Sequence, residues 1–147
     1  MNFDSIPWTL VKLTPNAEND GGIIFVRFRQ FPPDFPRDQL PIRLNVFWTM
    51  SEPNSQGHPT DAEAARSEVF ENRLVDAVEQ DSSSLLTVVL TGNGQREFVF
   101  HTADDSDFLR RLNEMPQEPE QYPIKIVKVH DPAWDYFDQV TGPILDT

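Results

Sequence analysis

The stretch from Leu90 to Phe100, LTGNGQREFVF, constrains this chain more than any other. Two apolar runs flank a Gly-Asn-Gly tip, the sequence form of a tight β-hairpin. Loop length sets which side chains share a face, since a slip of one residue inverts the buried set. A two-residue Asn93-Gly94 loop would pair Gly92 with Gln95 and put Leu86, Val88 and Leu90 on the face of Glu97 and His101, mixing apolar with polar. A three-residue Gly92-Asn93-Gly94 loop, a type I turn closed by a left-handed glycine, pairs Thr91 with Gln95 instead. Leu86, Val88, Leu90, Phe98 and Phe100 then share one face, and Thr87, Val89, Thr91, Glu97, Val99 and His101 the other. The segregated register is the expectation.

Before the hairpin, Trp8 to Leu13 and Ile23 to Phe31 read as two strands joined by a run of turn formers, residues 14–22. Three prolines make residues 31–37 a stiff connector that cannot hold a ladder. Ile42 to Met50 is the cleanest strand, with Ile42, Leu44, Val46, Trp48 and Met50 inward. Thr60-Asp61-Ala62-Glu63 matches a capping box and opens a long helix to about Gln80. Its expected buried stripe is Ala62, Ala65, Val69, Leu74, Ala77 and Val78, with Glu63, Glu68, Glu71, Asp76 and Glu79 toward solvent.

After the hairpin, Asp104 to Ser106 caps a shorter helix carrying Phe108, Leu109 and Leu112. Pro123 to His130 is a further strand, whose apolar residues switch from even to odd positions, the mark of a bulge or a sheet edge. Asp131-Pro132 opens a terminal helix with Trp134, Phe137 and Val140, and Gly142-Pro143 is expected to stop it. From the third strand onward the order is βαββαβ, which predicts an α+β fold: a ferredoxin-like core on an antiparallel sheet, preceded by two N-terminal strands and followed by a short C-terminal helix.

A chain of 147 residues closes one core without staples, so a single domain over 1–147 is expected. No cysteine is present, which excludes disulfides, thiolate metal sites and cysteine nucleophiles. The start, Met1-Asn2-Phe3-Asp4, lacks a basic leader, and no run nears the ~20 apolar residues of a membrane span. A cytoplasmic protein away from membranes is the expectation. With 24 acidic against 12 basic residues the formal charge is -12, which opposes nucleic-acid binding through phosphates. Such charge serves solubility, or recognition of a basic partner.

Residues Thr91 to Phe100, then Leu112-Asn113, Pro123 to Ile126 and Asp131 to Tyr136 resemble a bacterial family of unknown function, DUF695, best over the second half of the chain. Phe98 stands where that family usually has tryptophan and His101 where it usually has tyrosine, changes that keep a packing role. The resemblance implies the fold and no catalytic residue. In size, acidity and expected topology the chain is more distantly similar to protein regulators of ribonuclease E, an analogy of fold alone.

No nucleophile motif is present. Gly92-Asn93-Gly94 lacks the lysine and hydroxyl of a phosphate loop and joins two strands rather than opening a helix. Among His58, His101 and His130, one constellation offers metal or general-base chemistry: His101 with Asp104 and Asp105, joined by His130 and Asp131. The aspartates serve equally as helix caps. Arg96, at the strand end near the buried face, is expected to meet a helix carboxylate. If both main helices cover one face of the sheet, Phe25, Arg27, Arg29, Phe31, Arg43, Phe47, Val89, Val99 and His101 are the candidates for the other. That face is apolar enough to mark an association site, unless the N-terminal strands, the connector or the Trp134 helix covers it.

The expectation is a non-catalytic binding or regulatory domain without cofactor or metal, acting through its open sheet face or its acidic helical surface on a protein partner, for which a basic one is suited, or on a second copy of itself. The alternative is an enzyme or small-ligand module built on His101, Asp104 and His130.

Overall fold

The structure, a computed structural model, describes residues 6–13 and 22–145. Six strands, β1 (Trp8–Leu13), β2 (Ile24–Arg29), β3 (Ile42–Thr49), β4 (Ser84–Gly92), β5 (Gln95–Thr102) and β6 (Ile124–His130), form one antiparallel sheet in the order β1-β2-β4-β5-β3-β6. Three α-helices flank it: α1 (Asp61–Val78), α2 (Asp105–Glu114) and α3 (Asp135–Leu145). The α+β class is as the sequence predicts. β1 and β2 form a hairpin docked on β4, while the turn-rich run over residues 14–21 lies outside the described residues.

At the β4–β5 hairpin the three-residue loop is overturned. Gly92 pairs with Gln95, and Asn93 and Gly94 have φ of 54° and 79°. Two left-handed residues in succession make a type I′ turn, whose twist matches that of the flanking strands. The mixing of faces that this register implies is relieved by a β-bulge: Leu86 pairs with Phe100, but Val88 pairs with Val99, leaving Thr87 as the extra residue. Leu86 and Val89 therefore point to one side of the sheet, and Leu85 and Val88 to the other.

Nor is the turn free. The loop over residues 51–59 folds onto it, with the Gly94 amide donating to the Gly57 carbonyl and the Met50 amide to the Gly94 carbonyl. Asn54 shapes that loop by accepting the amides of Gln56 and His58 on its side-chain oxygen.

The sheet is covered on both faces. On one, α1 and α2 bury Phe70, Leu74, Val78, Phe108 and Leu112 against Leu44, Val46, Trp48, Leu86, Phe98 and Phe100. On the other, Trp134 and Phe137 of the terminal segment join Phe35 and Leu40 of the connector over Val26, Phe28, Leu85, Val88 and Val99. The helix-free face is thus absent, and the covering elements are the connector and α3.

The buried stripe of α1 is rotated from its expected position. Glu63, Ser67, Phe70, Glu71, Leu74 and Val78 face inward, while Ala62, Ala65 and Val69 face out. Three inward positions are polar, which hid them from a hydrophobic pattern, and each is satisfied inside. Thr60 caps the Glu63 amide as the box requires, yet the Glu63 carboxylate turns inward and accepts from Trp48 Nε1 and the Ser51 amide. Glu71 takes Arg27 at 2.7 Å on both oxygens. Glu79 accepts the Leu86 amide while Arg29 donates to the Leu86 carbonyl, next to the bulge and past the end of the β2 ladder.

α3 begins later and ends later than expected. Asp131 caps it through a turn rather than as the adjacent residue, its carboxylate accepting the amides of Asp135 and Tyr136. Trp134 carries a left-handed φ of 61° between them. Pro143 falls inside the last turn, where it forfeits a single backbone bond, and Val140 and Ile144 pack on the core. β6 is an edge strand in continuous register with β3, so its change of apolar phase reflects the edge and no bulge.

Candidate functional site

The nine residues expected on one open face divide between both faces. Phe25, Arg27 and Arg29 of β2 and Val89 of β4 lie on the α1 side, as the Arg27–Glu71 and Arg29–Glu79 pairs show. Both guanidinium groups also stack on Trp8, 4.8 and 4.6 Å from its ring centroid. Phe31, Arg43, Phe47, Val99 and His101 lie on the α3 side. Thr87, bulged out of register, shifts Val89 to the opposite face from Val99, which is why the set does not stay together.

Under α3 the second group joins a polar network that sequence reasoning did not assemble. Arg43 donates to Asn45 at 2.8 Å and to Asp131 at 3.0 Å, and lies over the Tyr136 ring. Asn45 and the Tyr136 hydroxyl both donate to Glu97 Oε2 at 2.7 Å. Burial pushes the Asp131 carboxyl up, but the amides of Asp135 and Tyr136 and the Arg43 guanidinium outweigh it and hold the group below the ordinary carboxylate value. Burial, then the bond to Glu97, raises the Tyr136 hydroxyl well above its usual range. The network fastens α3 to the sheet.

The histidine constellation does not form. His101 is fully buried against Trp134, with ring centroids 4.1 Å apart. His130 pairs with Ile42 on β3 and points to the opposite face, the α2 side, where it is exposed. Asp104 accepts the Asp107 amide as the cap of α2, and Asp105 pairs with Lys128. His58 contacts the Ile23 carbonyl and the Phe25 ring. Among the described residues no group of three or more histidine or acidic side chains could hold a metal ion.

Charge is arranged unevenly. Eight of the nine arginines make ion pairs within the molecule. A cavity of about 520 Å³ between α1 and α2 is lined by three of them, Arg73, Arg110 and Arg111, all held by carboxylates. The ninth, Arg96, forms no ion pair among the described residues, and Glu68 and Glu71 of α1 face it only across a shared cavity. It donates to Thr91 and Ser67 hydroxyls at 3.0 and 2.9 Å. On α1, by contrast, Asp61, Glu68 and Asp76 are exposed and form no hydrogen bond or ion pair among the described residues, Glu68 at the rim of the Arg27–Arg96 cavity and Asp76 at that of the α1–α2 cavity. At 3.6 residues per turn Asp61 and Glu68 lie close to one line and Asp76 about 80° further round; the solvent exposure of Glu68 and Asp76 is as the sequence predicts.

No helix among the described residues is long and apolar enough to cross a membrane. No curated protein and no solved structure matches the chain. A family described as a family of unknown function, DUF695, matches residues 13–140, so the likeness runs through most of the chain and not only its second half. The chain belongs to the DUF695 family.

Proposed function

We propose that this is a non-catalytic binding domain that holds a basic protein partner against the outer face of α1. One observation carries the reading: the arginines are committed to internal contacts, while Asp61, Glu68 and Asp76 on the exposed surface of α1 form no ion pair among the described residues. Complementary charge on a partner speeds encounter and selects among partners. The net charge of -12 adds a long-range field to that local charge. Because α3 covers the sheet, association moves from the sheet face to the helical surface.

The strand order β4-β5-β3-β6, with α1 and α2 on one side, supports reading β3 to β6 as a ferredoxin-like split βαβ unit extended by the β1–β2 hairpin. A cytoplasmic setting belongs to the same reading.

The test compares three immobilised proteins in extract at low and raised salt: wild type, Asp61→Asn/Glu68→Gln/Asp76→Asn, and Asp34→Asn/Asp38→Asn/Glu52→Gln as a control of equal charge change. The expected result is a basic protein retained by wild type and control, released by salt and lost from the α1 variant. Equal retention by both variants, or retention that salt does not weaken, overturns the proposal. A salt-insensitive dimer in sedimentation, unchanged by the α1 substitutions, would replace it with self-association.

A further inference from the structure

Arg96 sits where two cavities meet. One, of about 260 Å³, is lined by Leu10, Phe25, Arg27, Val89, Thr91 and Arg96; the other, of about 310 Å³, lies toward α1 and shares Arg27 and Arg96 with it. The first is built on the sheet itself. Leu10, Arg27 and Val89 pair across β1, β2 and β4, and Phe25, Thr91 and Arg96 pair across β2, β4 and β5 in the next row. Both rows face the α1 side, beside the helix rather than under it.

This cavity has no acidic lining residue in a chain with twice as many acids as bases. Its two cations differ. Arg27 is neutralised by both oxygens of Glu71. Arg96 uses Nε and Nη1 on neutral hydroxyls, and its Nη2 makes no hydrogen bond among the described residues. Arg96 forms no ion pair among the described residues, and Glu68 and Glu71 offset its charge only from across the adjoining cavity; a half-buried guanidinium with a free edge is a carboxylate receptor in form, since its fork matches two carboxylate oxygens. The remaining walls, Leu10, Phe25 and Val89, are apolar.

We infer that the cavity binds a small organic monocarboxylate, its carboxylate on Arg96 and its apolar body across Phe25, Val89 and Leu10. At about 260 Å³ the cavity is larger than the roughly 150 Å³ that accepts a benzene ring, which leaves room for a carboxylate beside an aromatic body such as that of benzoate. Glu68 and Glu71, on the α1 side of the two arginines, disfavour a dianion such as phosphate.

The test is an NMR titration of the isotopically labelled whole chain with benzoate, with benzamide as the neutral isostere and inorganic phosphate as the second anion, at constant ionic strength. Benzoate is expected to give saturating shifts at Phe25, Val89, Thr91 and Arg96, with benzamide and phosphate binding at least about tenfold more weakly. Arg96→Gln is expected to weaken benzoate by at least about tenfold. Leu10→Asp, at an exposed edge-strand position, removes an apolar wall and places a like charge at the mouth without touching the core, and is expected to weaken benzoate more than benzamide. Absence of saturable benzoate shifts overturns the inference, as does equal binding by Leu10→Asp, whatever becomes of Arg96→Gln.

Discussion

His101 packs its ring on Trp134 and shares Nδ1 with the Thr87 hydroxyl, but its Nε2 has no hydrogen-bond partner among the described residues. Burial drives its pKa down to about 3, outweighing the opposing field of Asp131, so the ring is neutral in the fold. The unfolded chain titrates near the ordinary 6.5 and takes up a proton that the folded chain refuses. Stability is therefore intact above that value and falls as pH drops from about 6.5 toward 3, by about 1.4 kcal/mol per unit. Between pH 7.5 and 5 the loss is about 2 kcal/mol. His101→Phe keeps a ring on Trp134 and removes the titration, so its urea-unfolding free energy should lack this fall while other groups titrate alike in both proteins. Parallel curves for the two proteins would refute the assignment. A packing role for His101 is implied by resemblance to the family, which usually has tyrosine at this position, whereas the strand pattern puts the residue on the open face. Its isolation from His130 is not legible in the sequence, because strand residues of opposite parity point apart only once the register is known.

At the scale of elements, the hairpin was readable and its loop length was not. Asn93-Gly94 is the strongest short hairpin signal a sequence offers, yet uninterrupted alternation in β4 argued against it. The missing fact was the bulge at Thr87, which is set by pairing with β5 and by the Glu79 and Arg29 contacts at Leu86 rather than by any local pattern. The same blindness rotated α1: Glu63 and Glu71 look like solvent positions until Trp48, Ser51 and Arg27 are placed beside them. Turn and loop now make a paired prediction. Gly94 has φ 79° but open space around a would-be Cβ, whose nearest neighbour is Pro53 Cγ at 3.7 Å, so Gly94→Ala costs backbone strain alone, about 1 to 2 kcal/mol. Gly57 has φ 78°, and its Cβ would lie 2.7 Å from the Asn93 amide nitrogen. Gly57→Ala must lift the 51–59 loop off the turn, and should lower the denaturation midpoint distinctly more than Gly94→Ala. A smaller effect at Gly57 would mean that the loop is not seated on the hairpin.

For the whole molecule, the decisive feature is that a six-stranded sheet is buried on both sides with unequal means. Two helices cover one face, and one helix with a proline-rich connector covers the other. Helix count and the order of elements along the chain were accessible from periodicity and caps, but the place of β1 and β2 in the sheet was not. The second layer was not, because Trp134 and Phe137 give a short apolar pattern that does not reveal which face receives it. The layering has an energetic consequence. Removing a buried Trp or Phe side chain costs about 3 to 5 kcal/mol, against a total domain stability of about 5 to 15 kcal/mol. A chain ended after His130 loses both rings, the Asp131 and Tyr136 anchors of Arg43 and Glu97, and the cover over Val88, Val99 and Phe28. It should show no cooperative thermal transition, bind a hydrophobic dye and self-associate through the bared sheet. Adding the separate peptide of residues 131–147 should recover part of the tertiary circular dichroism, because the groove that receives Trp134 is built by β4, β5 and the connector rather than by α3 itself. If the shortened chain instead melted cooperatively as a monomer near the full-length midpoint, α3 would be an appendage and the sheet face would return as the surface available to a partner.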